Sequence, residues 1–222
     1  MKLEEVLSGI DHHLWSSEPD VGLFLSCLVK MHHLQAVVEV GVFKGLTASY
    51  LIDSLGPEGR YVGIDMQDHR CESVKAYMQE KGHTFALGDS KHELAKLATA
   101  SADLIFLDGD HSLEYVKSEF LESLRILRRS AFICIHDYQT RGVRTWVDYV
   151  RQFRTFESIV LNTSENRGLA VIVPKRGKES AGWWFRLWFQ ISRNATMIRA
   201  REKCSSVRRR IVAGAKRRHE NP

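Results

Sequence analysis

Short apolar runs recur along the first three quarters of the chain, separated by helix-sized stretches whose apolar positions fall three and four apart. The runs are AVVEV (36–40), YVGID (61–65), TFAL (84–87), DLIFLD (103–108) and AFICI (131–135). Between them lie GLTASYLIDSL, CESVKAYMQEKG, SKHELAKLA and SLEYVKSEFLESLRILR, whose spacing and helix-forming residues predict helices. Strands apolar on both faces that alternate with helices predict a parallel sheet covered on both sides.

After the fifth run the pattern changes. RGVRTWVDYVRQF predicts one more helix, and ESIVLN and GLAVIVP then flank the polar TSENR, the arrangement of an antiparallel hairpin. The expected fold is an α/β, Rossmann-like doubly wound sheet of about seven strands, mostly parallel, closed by a C-terminal antiparallel hairpin. Three divisions follow: an N-terminal helical segment (1–35), the sheet domain (36–174) and, after the polar KRGKESAG, a helical basic tail (175–222).

Composition and charge refine this picture. A chain of 222 residues, 44% of them hydrophobic, fills one sizeable core. The net charge of +5 is unevenly placed: residues 175–222 hold 14 Lys and Arg against 3 Asp and Glu, so a basic tail follows an acidic body. Cys27, Cys71, Cys134 and Cys204 form no CxxC pair, which points to reduced thiols and a cytoplasmic setting. The opening MKLEEVLSGIDHHLW is too polar for a secretory signal, and no apolar run reaches the roughly 18 residues of a membrane span. The sequons at Asn162 and Asn194 are read as chance matches on that account.

Open parallel sheets bind ligands beyond the carboxyl ends of their strands. The first strand ends in EVGVFKG, placing Glu39, Gly41 and Gly45 at a turn where glycines free the amides of a helix N-terminus. The second ends in Asp65, a carboxylate that can accept both hydroxyls of a ribose, and the third in Gly88, Asp89 and Ser90. Each has a structural alternative, since strand-to-helix turns and helix caps use the same residues. Asp108 and Asp137 end the fourth and fifth strands. Neighbouring strands lie about 4.8 Å apart, so these carboxylates can converge on one hard cation, magnesium first, or else cap loops and pair with basic residues. His111, three residues past Asp108, is the candidate general base or else hydrogen-bonds a loop, and Asp110 is read as bracing the turn.

The stretches VVEVGVFKG, GID, LGDS, FLDGDHSLEYV and IHDY resemble the class I S-adenosylmethionine-dependent methyltransferases. The resemblance is to the small-molecule O-methyltransferase branch that includes macrocin O-methyltransferase and cephalosporin-hydroxylase-like proteins, and it covers about residues 36–174. It implies S-adenosylmethionine as cofactor, its methionine part held by Glu39 and the Gly41–Gly45 turn, its ribose by Asp65, and its adenine edge by Asp89 and Ser90. It also implies a divalent cation on Asp108 and Asp137, with His136 at the third ligand position, where an acid is usual. Histidine there favours zinc, manganese or iron over magnesium. Phe43 stands where many relatives have a glycine. The implied activity is methyl transfer to a hydroxyl of a small molecule or sugar, with His111 taking the proton. RNA methylation and a non-methylating cofactor-binding relative are the alternatives.

Two regions lie outside those motifs. Trp15, Phe24 and Met31 either wall the acceptor pocket or belong to the core. In the tail, Trp184, Leu187, Trp188, Ile191, Ala195 and Ile198 share one helical stripe, followed by an arginine cluster. Residues 183–218 therefore read as an anionic-membrane surface, with docking on the body or a homo-oligomer contact as alternatives. Nucleic acid is the weaker partner, because no RNA-module motif accompanies the charges.

Overall fold

The computed structural model describes residues 1–10 and 16–175. The described residues fall within one compact unit. The expectations for the tail, for Cys204 and Asn194, and for Trp15 lie outside the described residues. Among the described residues, no helix is long and apolar enough to cross a membrane.

Seven strands and seven helices are described, in the order α1 (Leu3–Ser8), α2 (Pro19–His32), β1 (Ala36–Val40), α3 (Leu46–Ser54), β2 (Arg60–Asp65), α4 (Glu72–Glu80), β3 (Thr84–Leu87), α5 (Ser90–Lys96), β4 (Ala102–Leu107), α6 (Leu113–Ile126), β5 (Leu127–Ile135), α7 (Arg141–Val150), β6 (Phe156–Leu161) and β7 (Leu169–Pro174). They form one sheet of order β3-β2-β1-β4-β5-β7-β6, parallel except where β7 pairs with β5 and β6. This is the Rossmann-like sheet with an antiparallel hairpin that the apolar pattern predicts. Every residue of β1 is buried, as a central strand covered on both faces requires.

One boundary differs from the periodicity. The apolar helix pattern runs to Arg128, but α6 stops at Ile126 and β5 begins at Leu127. The β4–β5 register shifts between Ala102 and Leu104, and Ser130 adopts φ 56°, so β5 carries an irregular start before its regular, buried half.

The strand order reverses beside β1. The chain moves outward from β1 to β2 and β3, then returns to lay β4 on the other side of β1. At such a point the loops leaving adjacent strands diverge and open a crevice. Helix α2 packs on α3 and contributes Val21, Leu25 and Val29 to the core cluster that includes Phe106, Phe132 and Val171. The residues just before α2 are thereby fixed at the sheet's carboxyl edge.

Candidate functional site

A cleft of about 940 Å³ opens at that edge. Its floor begins where β1 and β4 part. Gly41 adopts φ 85°, and a Cβ there would lie 2.1 Å from the Asp108 carbonyl oxygen, so only glycine permits this approach of the two loops. Gly45, at φ 91°, starts α3 in the same left-handed region. Phe43 between them takes φ 46° with a side chain, at a cost of about 1 kcal/mol. Its ring meets His69 edge-on at 5.8 Å, a contact glycine could not make.

Asp65 holds this loop. Its Oδ2 accepts the amides of Val42 and Phe43, both at 2.9 Å, and its Oδ1 accepts that of Gln67 at 3.1 Å. A carboxylate offers about four lone-pair sites, so capacity remains for a ligand hydroxyl where Asp65 lines the cleft. Ser90 also lines the cleft, and its hydroxyl donates to Glu119 Oε1 at 2.5 Å. Burial raises the Glu119 pKa to about 7, against the lowering effect of the Ser90 bond.

Two of the expected cofactor residues stand off the cleft wall. Glu39 is buried within β1, where Tyr61 donates to its Oε2 at 2.5 Å, and burial holds its carboxyl well above the usual range. Asp89 caps α5 through the Lys91 amide and accepts the Tyr115 hydroxyl at 3.0 Å, so both oxygens are engaged. These are bracing positions. In place of Asp89, Tyr115 reaches the cleft.

At the other end, beyond β4 and β5, three groups come together. One ligand atom from each of Asp108, His111 and Asp137 lies within 4.8 Å of the others. His111 Nδ1 is 3.3 Å from Asp137 Oδ2. His111 Nε2 is buried and faces Asp108 Oδ1 at 3.5 Å, a long ion-pair contact, and among the described residues it makes no shorter hydrogen bond. Ser16 Oγ, also on the cleft wall, is a second buried polar atom without one. Asp137 itself has φ 54°. Two carboxylates and an imidazole this close together fit a divalent cation, manganese or zinc at least as well as magnesium.

His136, expected as the third ligand, lies outside that cluster. Its ring is buried and both nitrogens are taken: Nδ1 meets Asp108 Oδ1 at 2.8 Å and Nε2 meets Glu18 Oε2 at 2.6 Å. It therefore stands behind Asp108 as a bridge, and His111 takes its place in the three-residue cluster. Burial alone would lower the His136 pKa, but Asp108, Asp137 and Glu18 outweigh it and push it up to about 9. Burial acts to raise the Asp108 pKa, yet the His136 charge and the contacts from His111, His136 and Ser17 hold it well below the carboxylate range. For His111 too, burial lowers the pKa and the neighbouring aspartates more than offset it. Asp110 braces the turn by accepting the Ser112 amide at 2.7 Å.

The N-terminal contribution comes from residues the sequence did not single out. Ser17 donates to Asp108 Oδ2 at 2.7 Å, Thr47 donates to Ser17, and Thr163 donates to Glu18 at 2.5 Å. Arg167 donates to the Ser16 carbonyl and lines the cleft. Phe24 packs against the core and Met31 is 76% exposed, so neither walls the pocket. The only local signal was Glu18-Pro19, a carboxylate at a helix start, which reads as a cap.

Residues 38–138 match a family model described as a methyltransferase domain. Two proteins named "Putative O-methyltransferase" are similar: that of Mycobacterium sp. (strain JLS) is 30% identical over 53% of this chain and 55% of its own length. That of Mycobacterium ulcerans (strain Agy99) is 29% identical over 58% of each. The chain thus spans little more than half the length of these curated relatives. Among solved structures, the O-methyltransferase of Bacillus cereus in complex with S-adenosylhomocysteine matches with a TM-score of 0.64, at 20% identity over 78% of this chain and 90% of that one. The O-methyltransferase of tomaymycin synthesis from Streptomyces achromogenes, in complex with S-adenosylmethionine, matches with a TM-score of 0.62, at 20% identity over 73% and 82%. These likenesses establish the fold.

Proposed function

We propose that this protein is an S-adenosylmethionine-dependent methyltransferase acting on a hydroxyl of a small molecule or sugar, assisted by a divalent cation. The observation that carries the reading is one cleft with two ends: a glycine loop pinned by Asp65 at one, and the Asp108–His111–Asp137 cluster at the other. When bound, S-adenosylmethionine supplies a sulfonium methyl open to displacement, and a cation would lower the pKa of a nearby hydroxyl.

The chain's own residues supply alignment and proton transfer. The Gly41–Gly45 turn and Asp65 orient the amino-acid and ribose parts, and Ser90 meets the base. Asp108 and Asp137 would hold the cation, and the Nε2 of His111, whose only contact among the described residues is the long one to Asp108, would receive the acceptor's proton. Holding acceptor oxygen, methyl and sulfur in line supplies most of the rate. Ser16, Ser17 and Arg167 wall the acceptor side.

The test is calorimetry with S-adenosylhomocysteine, followed by a labelled methyl-transfer screen over hydroxylated small molecules, sugars and RNA, with and without chelator. Binding in the micromolar range and chelator-sensitive transfer to a small hydroxylated acceptor are expected. Absence of binding would remove the assignment, and full activity in chelator would remove the cation. The basic tail supports RNA as the second acceptor class, and it also supports attachment to anionic membranes through residues 183–218. Sedimentation with anionic liposomes at low salt should be lost in a chain ending at Pro174; retention of full-length protein on RNA alone would favour the RNA reading.

A further inference from the structure

Glu119 is a buried carboxyl that none of these steps uses. It sits on α6, 1% exposed, and among the described residues its carboxyl has one hydrogen-bond partner, Ser90 Oγ at 2.5 Å. Ser90 opens α5, beyond β3, and lines the cleft together with Gly88, Asp65 and Met66. The contact therefore links the wall where a nucleoside base would lie to an acid just behind it.

A serine hydroxyl has one proton. If that proton points at Glu119, Ser90 offers only lone pairs to the cleft. If instead Glu119 carries a proton and donates it, the Ser90 proton is free to point into the cleft. The two states present opposite polarity to whatever base edge faces them. We propose that Glu119 is a positioning residue that sets, through Ser90, whether the base pocket offers a hydrogen-bond donor or an acceptor, and so governs which purine edge is bound. This rests on the S-adenosylmethionine reading of the cleft.

The surroundings place the switch in an accessible range. Burial raises the Glu119 pKa to about 7, Asp110 and Asp89 add to the rise, and the Ser90 bond and His111 oppose it. Among the described residues the Glu119 carboxyl is hydrogen-bonded to Ser90 and makes no hydrogen bond or ion pair to Asp108, His111 or Asp137. At pH 6 the protonated form dominates and Ser90 donates to the cleft. At pH 8 Glu119 is ionised and Ser90 accepts.

Calorimetry with S-adenosylhomocysteine and its deaminated analogue, S-inosylhomocysteine, reads this out. The analogue exchanges donor for acceptor at the 6-position and acceptor for donor at N1. Other titrating groups act on both ligands alike, so the ratio of the two dissociation constants isolates the base edge. In the wild type this ratio should change about ten-fold between pH 6 and pH 8, the effect of one hydrogen bond gained against one lost. A ratio favouring adenine at high pH means that Ser90 faces the amino group; the reverse means that it faces N1.

Glu119→Gln keeps the shape and a hydrogen bond but cannot titrate, so its ratio should be flat with pH. Ser90→Ala should flatten it as well, with Glu119 in place. A pH-independent wild-type ratio, or a pH-dependent one that survives either substitution, overturns the proposal. If S-adenosylhomocysteine does not bind wild type at any pH, the cofactor reading fails first and takes this inference with it. A Glu119→Gln protein that binds both ligands with unaltered pH dependence rejects the inference alone.

Discussion

The two ends of the cleft treat their charged groups in opposite ways. Beyond β1, β2 and β3 the acids are spent on the protein itself: Asp65 on loop amides, Asp89 on a helix cap and Tyr115, Glu39 on Tyr61. Beyond β4 and β5 the groups are crowded, with Asp108, His111 and Asp137 facing one another and His111 Nε2 held only by a long contact to Asp108. The first end is a preformed cradle, finished before any ligand arrives. The second has donor groups that the described residues leave short of full bonding, which is where a ligand can act. Substitutions at the two ends should therefore separate binding from turnover.

The largest separation is expected at His111. His111→Ala should lower the methyl-transfer rate by about 10² to 10⁴, the usual loss for a general base, while the S-adenosylhomocysteine dissociation constant stays within about two-fold. Cation titration of the same variant sharpens the role. Unchanged metal affinity fits the base, whereas a large loss makes His111 the third ligand. A variant with wild-type kcat would erase the contrast between the ends.

Next comes the bridge behind the reactive end. His136→Ala removes the partner of two acids, leaving Glu18 and Asp108 facing each other across a buried gap. Breaking one side of a buried pair costs about 3–5 kcal/mol, so urea unfolding should show a loss on that order. His136→Gln should recover part of it. A loss below about 1 kcal/mol for the alanine variant would mean that the bridge does not hold the N-terminal segment over the site.

Asp65→Ala probes the cradle. It removes the acceptor of three amides, so S-adenosylhomocysteine affinity should fall by about 1–3 kcal/mol, with a drop in melting temperature. The rate at saturating cofactor should change less than the affinity. If kcat fell as much as in His111→Ala, the two ends would not be separable.

How much of this was legible differs between the ends for a physical reason. The sheet, its hairpin and the strand-end positions follow from local apolar spacing, and Gly41, Gly45, Asp65, Ser90, Asp108 and His111 all sit where that spacing puts them. Their partners do not follow from it. Glu18 meets His136 across 118 positions and Thr163 across 145, contacts that exist only because α2 packs on the sheet. Without Glu18, His136 reads as a ligand beside Asp137; with it, the ring has no free nitrogen. The irregular start of β5 was likewise hidden, because Leu127 continues the apolar phase of α6.

The most gradual expected effect is the pH dependence of stability, and it also divides the two ends. The His136 pKa is raised in the fold, from 6.5 to about 9, so its contribution is complete below about pH 6.5 and is lost as pH rises through 9. Glu119 is an acid raised to about 7; it begins to cost stability above pH 4.5 and the cost is complete above 7. Both make the folded state hold protons longer than the unfolded chain, so stability should decline from about pH 5 to pH 9, by at most about 1.4 kcal/mol per pH unit for each group. Urea midpoints measured across that range check it. His136→Gln should flatten the alkaline part and Glu119→Gln the part below pH 7, whereas Asp65→Ala should shift the whole curve without changing its slope. A wild-type curve that rises with pH over this interval would mean that the buried charges of the reactive end are balanced by groups other than His136.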